Sequence, residues 1–170
     1  MTERLAASTP ADTPLPADPG GSDTTAGIEV RHSPIHGLGV FARQPLPAGT
    51  GIGRYEGRRY TPDEVNQRGW DTALTYVFGL SDGSLIDAAE GGNATRHINH
   101  ACEPNCIAWE VEDDEGRPVV EIETLRDLQA GEELLLDYAL DVGDEDPARF
   151  ACRCGCRCCR GTMLGTPAAA

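Results

Sequence analysis

A chain of 170 residues is long enough for one domain with a substantial core. Its 28 acidic residues against 14 basic ones leave a net charge of −14, which argues against a nucleic-acid binder, because phosphate contacts need clustered Lys and Arg. No apolar run reaches the length of a transmembrane helix, and the start lacks the basic and apolar regions of a signal peptide.

In chain order, residues 1–27 carry Pro10, Pro14, Pro16, Pro19, Gly20 and Gly21 among small polar residues. Apolar side chains are too sparse there to offset the ordering entropy, so a disordered leader is expected. From Ile28 the chain turns to short apolar runs. Ile28–Arg31 and Leu38–Ala42 read as strands joined through His36-Gly37, and Thr50–Tyr55 as another after the turn at 45–49. Thr61-Pro62-Asp63-Glu64 is a capping box with Pro in the first turn, so a short helix starts there and stops near Gly69. Leu74–Leu80 is β-rich, and Ser81-Asp82-Gly83-Ser84 turns it back into Leu85-Ile86-Asp87 as a hairpin.

Residues 91–106 are poor in core-filling side chains and rich in groups that bind: Asn93, Asn99 and Asn105, Arg96, His97, His100, Cys102 and Cys106. Such a loop keeps one shape when something binds it. Any short helix through Arg96-His97-Ile98 must end before Pro104, which drives Glu103 toward extended geometry. Ile107–Val111 and Val119–Leu125 form a second hairpin about the acidic turn at 113–116, and Leu134–Tyr138 follows as a last strand. From Glu110 to Asp146 fifteen acidic residues accompany two arginines, Arg117 and Arg126. That belt would steer basic partners such as Arg/Lys-rich tails; the plainer reading is a solvated surface that keeps the protein soluble. Many short strands with one brief helix argue for a mostly β domain.

Five of the seven cysteines fall in Cys152-Arg153-Cys154-Gly155-Cys156-Arg157-Cys158-Cys159. Cys-x-Cys spacing is tight for a disulfide but suits a metal, and three of these thiolates plus Cys102 or Cys106 would close a tetrahedral zinc site. Gly37-x-Gly39 alone is as often a turn as a ligand cradle. Tyr138 alone could be a core tyrosine. His32 and His36 lie four apart outside any expected helix and are not read as a metal pair, and Trp70 and Trp109 carry no assignment. The chain beyond Leu164 reads as a loose tail.

The order and spacing of His36-Gly37-Leu38-Gly39-Val40-Phe41-Ala42, Tyr76-Val77-Phe78, Ile86-Asp87-Ala88, Gly92-Asn93 through Arg96-His97-Ile98-Asn99-His100-Ala101-Cys102-Glu103-Pro104-Asn105-Cys106, Gly131-Glu132-Glu133-Leu134 and Asp137-Tyr138 resemble the SET-domain protein lysine methyltransferases. Cys152-x-Cys154 with Cys159-Arg160-Gly161 is similar to that family's post-SET zinc tail. The likeness covers residues 29–163. It implies a mostly β, β-clip-like SET fold of small curled sheets, with a C-terminal pseudoknot around Asn99-His100 and Tyr138 and a zinc-stapled C-terminus. On that division, 28–145 form the SET domain, 146–164 the post-SET-like segment and 165–170 a loose tail.

The same resemblance implies S-adenosylmethionine as methyl donor, with Leu38, Gly39, Arg96, Asn99, His100 and Tyr138 as its contacts. Tyr138 would line the transfer site and Tyr76 the lysine channel, as the catalytic pair. Cys102, Cys152, Cys154 and Cys159 would hold a structural zinc ion. Leu136 falls where the family places a residue that gates methyl number, and a leucine there favours more than one methyl. Departures are Ala101 in place of a frequent serine, His97 in place of an aromatic, the extra Cys156 and Cys158, and no cysteine-rich module before the core. The expected partner is a basic, lysine-containing protein or peptide such as a histone tail, with no nucleic acid or membrane, and the chain itself is expected to be a monomer. The alternative is a non-catalytic, zinc-stapled interaction module. All 14 basic residues are arginine, and this alanine-rich composition suits a GC-rich genome and a bacterial cytoplasm, or the nucleus and chromatin if the source is eukaryotic.

Overall fold

Alternation decides the longest strand pair. In β9 (Pro118–Thr124) Val120, Ile122 and Thr124 are buried while Glu121 is exposed, and β8 (Cys106–Glu112) pairs with it antiparallel from Cys106↔Thr124 to Glu112↔Pro118. The structure, a computed structural model, describes residues 27–67 and 76–165. The expected leader up to residue 26, the helix end at Gly69, Trp70, the strand start at Leu74 and the tail beyond Gly165 lie outside the described residues.

The remaining strands are short and fall into small sheets, as expected. β1 (Ile28–His32) and β2 (Leu38–Ala42) form an antiparallel ribbon. β3 (Gly51–Arg54) adds to β9 with a bulge between Gly51 and Gly53, completing the sheet β3-β9-β8. β4 (Arg58–Tyr60) and β5 (Val77–Gly79) flank β6 (Leu85–Asp87). α1 (Pro62–Gln67) is capped as its sequence asks: the Thr61 N–H and hydroxyl both donate to Glu64, and the Glu64 N–H returns to the Thr61 hydroxyl. β4 was not foreseen, nor was a 3₁₀ turn at Pro147–Phe150. A second 3₁₀ turn, Ala94–His97, stops well before Pro104, with Asn93 as its cap.

The last expected strand needs correction. Of Leu134–Tyr138 only Leu135–Leu136, β10, is strand, and it pairs parallel with β7 (Asn99–His100), a strand inside the loop that showed no strand pattern. The parallel pair is two residues long because its partners are fixed by what flanks it. Ahead of β10, residues 131–134 run along the free edge of β2, where the Ala42 N–H donates to Glu132 and the Leu134 N–H to Val40. Behind it the chain turns at Ala139, the one non-glycine residue with positive φ among the described residues (φ 44), a conformation that costs about 1 kcal/mol for an L-residue.

Asn105 locks the crossing. It is 2% exposed; its amide donates to the Glu133 carbonyl at 2.7 Å and accepts the Leu135 N–H at 2.7 Å. Underneath lies the apolar core, in which Val40, Leu128 and Leu134 are fully buried with Ile52, Ile98 and Ile122. Asn105→Ala is expected to lower the unfolding free energy by about 2–4 kcal/mol, because two main-chain groups lose their partners beside the core. Urea denaturation checks this, and a loss under about 0.5 kcal/mol, the scale of a neutral surface change, would contradict it.

Candidate active site and cysteine cluster

Because β7 and β10 run side by side, residues far apart in the chain meet. Asn99 and His100 are both buried. The Asn99 amide donates to the carbonyls of His36 (3.2 Å) and Leu38 (3.0 Å) and to Glu133 Oε1 (2.9 Å). One side chain thereby pins the Gly37–Gly39 turn against the crossing. Gly39 is required there by space: a Cβ would sit 2.3 Å from Glu133 Oε1 and 2.9 Å from Ser33 Cβ. Gly37 has positive φ (45) and nothing within 4 Å of where its Cβ would be, so the turn is open on its outer side. Leu38 is exposed beside it.

His100 is oriented from both ring nitrogens. Its Nδ1 accepts the Tyr138 N–H at 3.1 Å, which places the ring proton on Nε2, 3.5 Å from Cys102 Sγ. Burial holds its pKa below the usual histidine value, against the pull of Asp137. The imidazole is therefore a neutral strut between Tyr138 and the cysteine cluster.

Tyr138 sits at the end of this arrangement. Its hydroxyl donates to the Ile98 carbonyl at 2.9 Å, so the phenol tip is held inward although the residue is 39% exposed. Burial pushes the phenol up to about 12, with Tyr76 and Glu133 adding to the shift; it is protonated at neutral pH and is not a base. Tyr76, also partly exposed, stacks edge-on to His97 with centroids 6.2 Å apart. Sequence reasoning missed Tyr55. It is buried, tilts against Phe78 at 4.9 Å, and its phenol is raised by burial and then by Tyr138, Asp87 and Tyr76. It ends the strand expected at Thr50–Tyr55 and directly follows β3, where its aromatic character was the only signal. Arg96 lies on the 3₁₀ turn and donates to the Ala88 carbonyl at 3.3 Å and to His97 at 3.1 Å, so it braces the loop from behind. Leu136 is packed in the apolar core.

The four cysteines singled out converge. The Sγ atoms of Cys102, Cys152, Cys154 and Cys159 all lie within 4.8 Å of one another, and Cys102 and Cys152 are 3.6 Å apart. Four thiolates on a tetrahedral zinc ion with bonds of about 2.3 Å stand about 3.8 Å apart, so the set fits the ion. Burial raises the Cys102 thiol and pushes Cys152 up to about 12, whereas at Cys154 burial is outweighed by neighbouring hydrogen bonds that bring it down to about 6, so a divalent cation would displace protons at the first two. Cys106, the other option for a fourth ligand, is instead buried in β8, its thiol raised to about 11 by burial.

The tail that carries these cysteines is folded back by main-chain bonds. Cys152 donates to Gly161, Met163 to Phe150, Leu140 to Met163 and Gly165 to Leu140. Arg160 ties it to the site: its N–H points at Cys102 Sγ (3.3 Å) and its guanidinium grips Asp137 with two bonds of 2.8 and 2.7 Å. That pairing holds the Asp137 carboxyl below its usual range. Arg160 was legible only as part of the Cys-Arg-Gly string.

The acidic belt is partly neutralised in place. Arg54 pairs with Glu121, Arg117 with Asp113 and Glu115, Arg126 with Glu132 and Arg149 with Glu145.

Comparison with known proteins gives a family model described as SET domain, matching residues 37–139. The chain is 35% identical over 141 residues to a Candida albicans protein named histone-lysine N-methyltransferase, H3 lysine-4 specific, covering 80% of this chain and 14% of that protein. It is 36% identical to the Drosophila melanogaster histone-lysine N-methyltransferase trithorax, over 78% of this chain and 4% of the relative. With the human histone-lysine N-methyltransferase 2B it shares 35% identity over 78% of this chain and 5% of the relative. The chain thus spans a small part of the length of these relatives. All three relatives are eukaryotic and lend no support to the bacterial cytoplasmic placement. Fold, loop and cysteine tail agree with that match, and the chain belongs to the SET-domain family.

Proposed function

We propose that the chain catalyses methyl transfer from S-adenosylmethionine to the side-chain amine of lysine in a basic protein segment, a histone tail foremost, and that Cys102, Cys152, Cys154 and Cys159 hold a structural zinc ion beside the site. The observation that carries the first reading is the Tyr138 hydroxyl donating to the Ile98 carbonyl while the Tyr138 N–H is held by His100. With its proton engaged, the phenol oxygen presents lone pairs, and these can accept a hydrogen bond from a neutral amine and aim the nitrogen's own lone pair.

The donor supplies an electrophilic methyl on a sulfonium, and displacement there is in line, so orientation provides much of the acceleration. The residues suited to hold it are the open Gly37-Leu38-Gly39 turn, Asn99, His100 and Arg96, with the phenol ring of Tyr138 as a face for positive charge. Deprotonating a lysine near neutral pH costs about 4–5 kcal/mol. An aromatic wall of Tyr55, Tyr76, Phe78 and Tyr138 lowers that cost by disfavouring the ammonium form. A phenol with a pKa of about 12 does not serve as the base; its part is to orient. Identity to relatives named for histone lysine, one of them for H3 lysine-4, supports a basic tail as substrate, and so does the chain's net charge of −14. A leucine at 136 supports transfer of more than one methyl.

Incubating the purified chain with labelled donor and histone H3 should give incorporation on lysine. Tyr138→Phe is expected to lower kcat by about 100-fold or more, the scale of a misaligned reacting pair, with donor affinity within a few-fold of the parent by calorimetry. Donor binding without any incorporation by the parent chain would leave a non-catalytic module instead.

Stripping metal with a strong chelator, or Cys102→Ser, should release residues 147–165 from the body. Amide exchange would show it: protection at Cys152, Met163 and Gly165 collapses while β8 and β9 keep theirs. Unchanged protection of the tail would contradict the zinc reading.

A further inference from the structure

The two cysteines that the family's post-SET pattern leaves over are not scattered. Cys156 and Cys158, with Glu103, place a second set of three ligand atoms within 4.8 Å of one another. Cys156 Sγ stands 3.3 Å from Cys158 Sγ, and Cys158 Sγ 3.7 Å from Glu103 Oε2. This set adjoins the first: Cys154 Sγ is 3.4 Å from Cys156 Sγ.

The local chain explains the arrangement. Gly155 takes positive φ (73) with open space where a Cβ would be, which folds the segment between the two Cys-x-Cys pairs. The Cys159 N–H then donates to the Cys156 carbonyl at 3.2 Å, a turn that brings Cys156 and Cys158 to one side. Glu103 reaches in from the opposite wall, next to the ligand Cys102 and fixed in direction by Pro104. Arg153 and Arg157 alternate with the cysteines along this segment.

We infer that Cys156, Cys158 and Glu103 form a second site for a zinc-class divalent ion, completed by Cys154 as a thiolate shared between the two ions. The inference rests on the zinc reading of Cys102, Cys152, Cys154 and Cys159. Three thiolates and a carboxylate close a tetrahedron about a borderline-soft, closed-shell cation, and a shared thiolate requires the neighbouring sulfurs to lie at contact distance, as Cys154 and Cys156 do. The second ion would fasten the tail to Glu103 as the first fastens it to Cys102, so both ends of the Cys102-Glu103 corner carry the C-terminal segment.

The test counts metal. Zinc alone is titrated into the reduced, metal-stripped full chain under a phosphine reductant, and the complexes are weighed by native mass spectrometry. The parent chain is expected to take up two zinc ions, and Cys156→Ser/Cys158→Ser one. Glu103→Gln should bind the second ion more weakly by at least the 10–100-fold that loss of an outer-shell partner costs. A parent chain that stops at one ion, matched by the double variant, overturns the second site and leaves the four-cysteine centre standing. Two ions in parent and double variant alike place the second ion elsewhere and also overturn it. No zinc on the parent removes the first centre and the second with it.

Discussion

Asn99–His100 and Leu135–Leu136 pair in parallel over only two residues each, yet the Gly37–Gly39 turn, Tyr138 and the approach to Cys102 are placed through that contact. A parallel pair needs a long connection, and here the connection is the β8–β9 hairpin with its flanking turns. The short pair persists because side chains reinforce it: Asn105 closes the gap on one side and Asn99 holds the Gly37–Gly39 turn on the other. A glycine at 39 lets Glu133 come close enough to be Asn99's third acceptor. Polar groups buried in this way are high-stakes, since each leaves unpaired atoms in the interior if its partner goes.

From that contact two lines of structure lead outward. One runs through Tyr138, whose main chain is fixed by His100 and whose phenol is fixed by the Ile98 carbonyl. The other runs from the same His100 to Cys102, and through Arg160 back to Asp137. The cysteine cluster and the phenol therefore share one histidine and one arginine–aspartate pair. Metal bound at the cluster would stiffen the segment that carries Tyr138 without touching substrate, a role metals commonly take through second-shell bonds.

Much of this was legible in the residues. The acidic turn at 113–116 between two runs placed β8 and β9, a capping box placed α1, and Ser-Asp-Gly-Ser placed the β5–β6 turn. The four-cysteine set followed from the family likeness, with Cys102 rather than Cys106 as the distant ligand, and it converges. What was not legible lacks a local signature. β7 is an Asn-His dipeptide whose strand character comes from β10, thirty-five residues later; β10 is shorter than its apolar run because Asp137 and Tyr138 are drawn off to Arg160 and His100. Tyr55 reads as a strand end until Phe78 is folded against it. Cys156 and Cys158 looked like surplus thiols until Glu103 appeared across from them.

The central claim is that the crossing of residues 99–101 with 135–138 puts one phenol where a methyl donor and a lysine meet. A crystal structure with a non-transferable donor analogue and a lysine peptide addresses it most directly. The account requires the donor against Gly37–Gly39 and Asn99–His100, with the lysine nitrogen within hydrogen-bond reach of the Tyr138 oxygen. A donor bound elsewhere, or an amine out of reach of that oxygen, would contradict it.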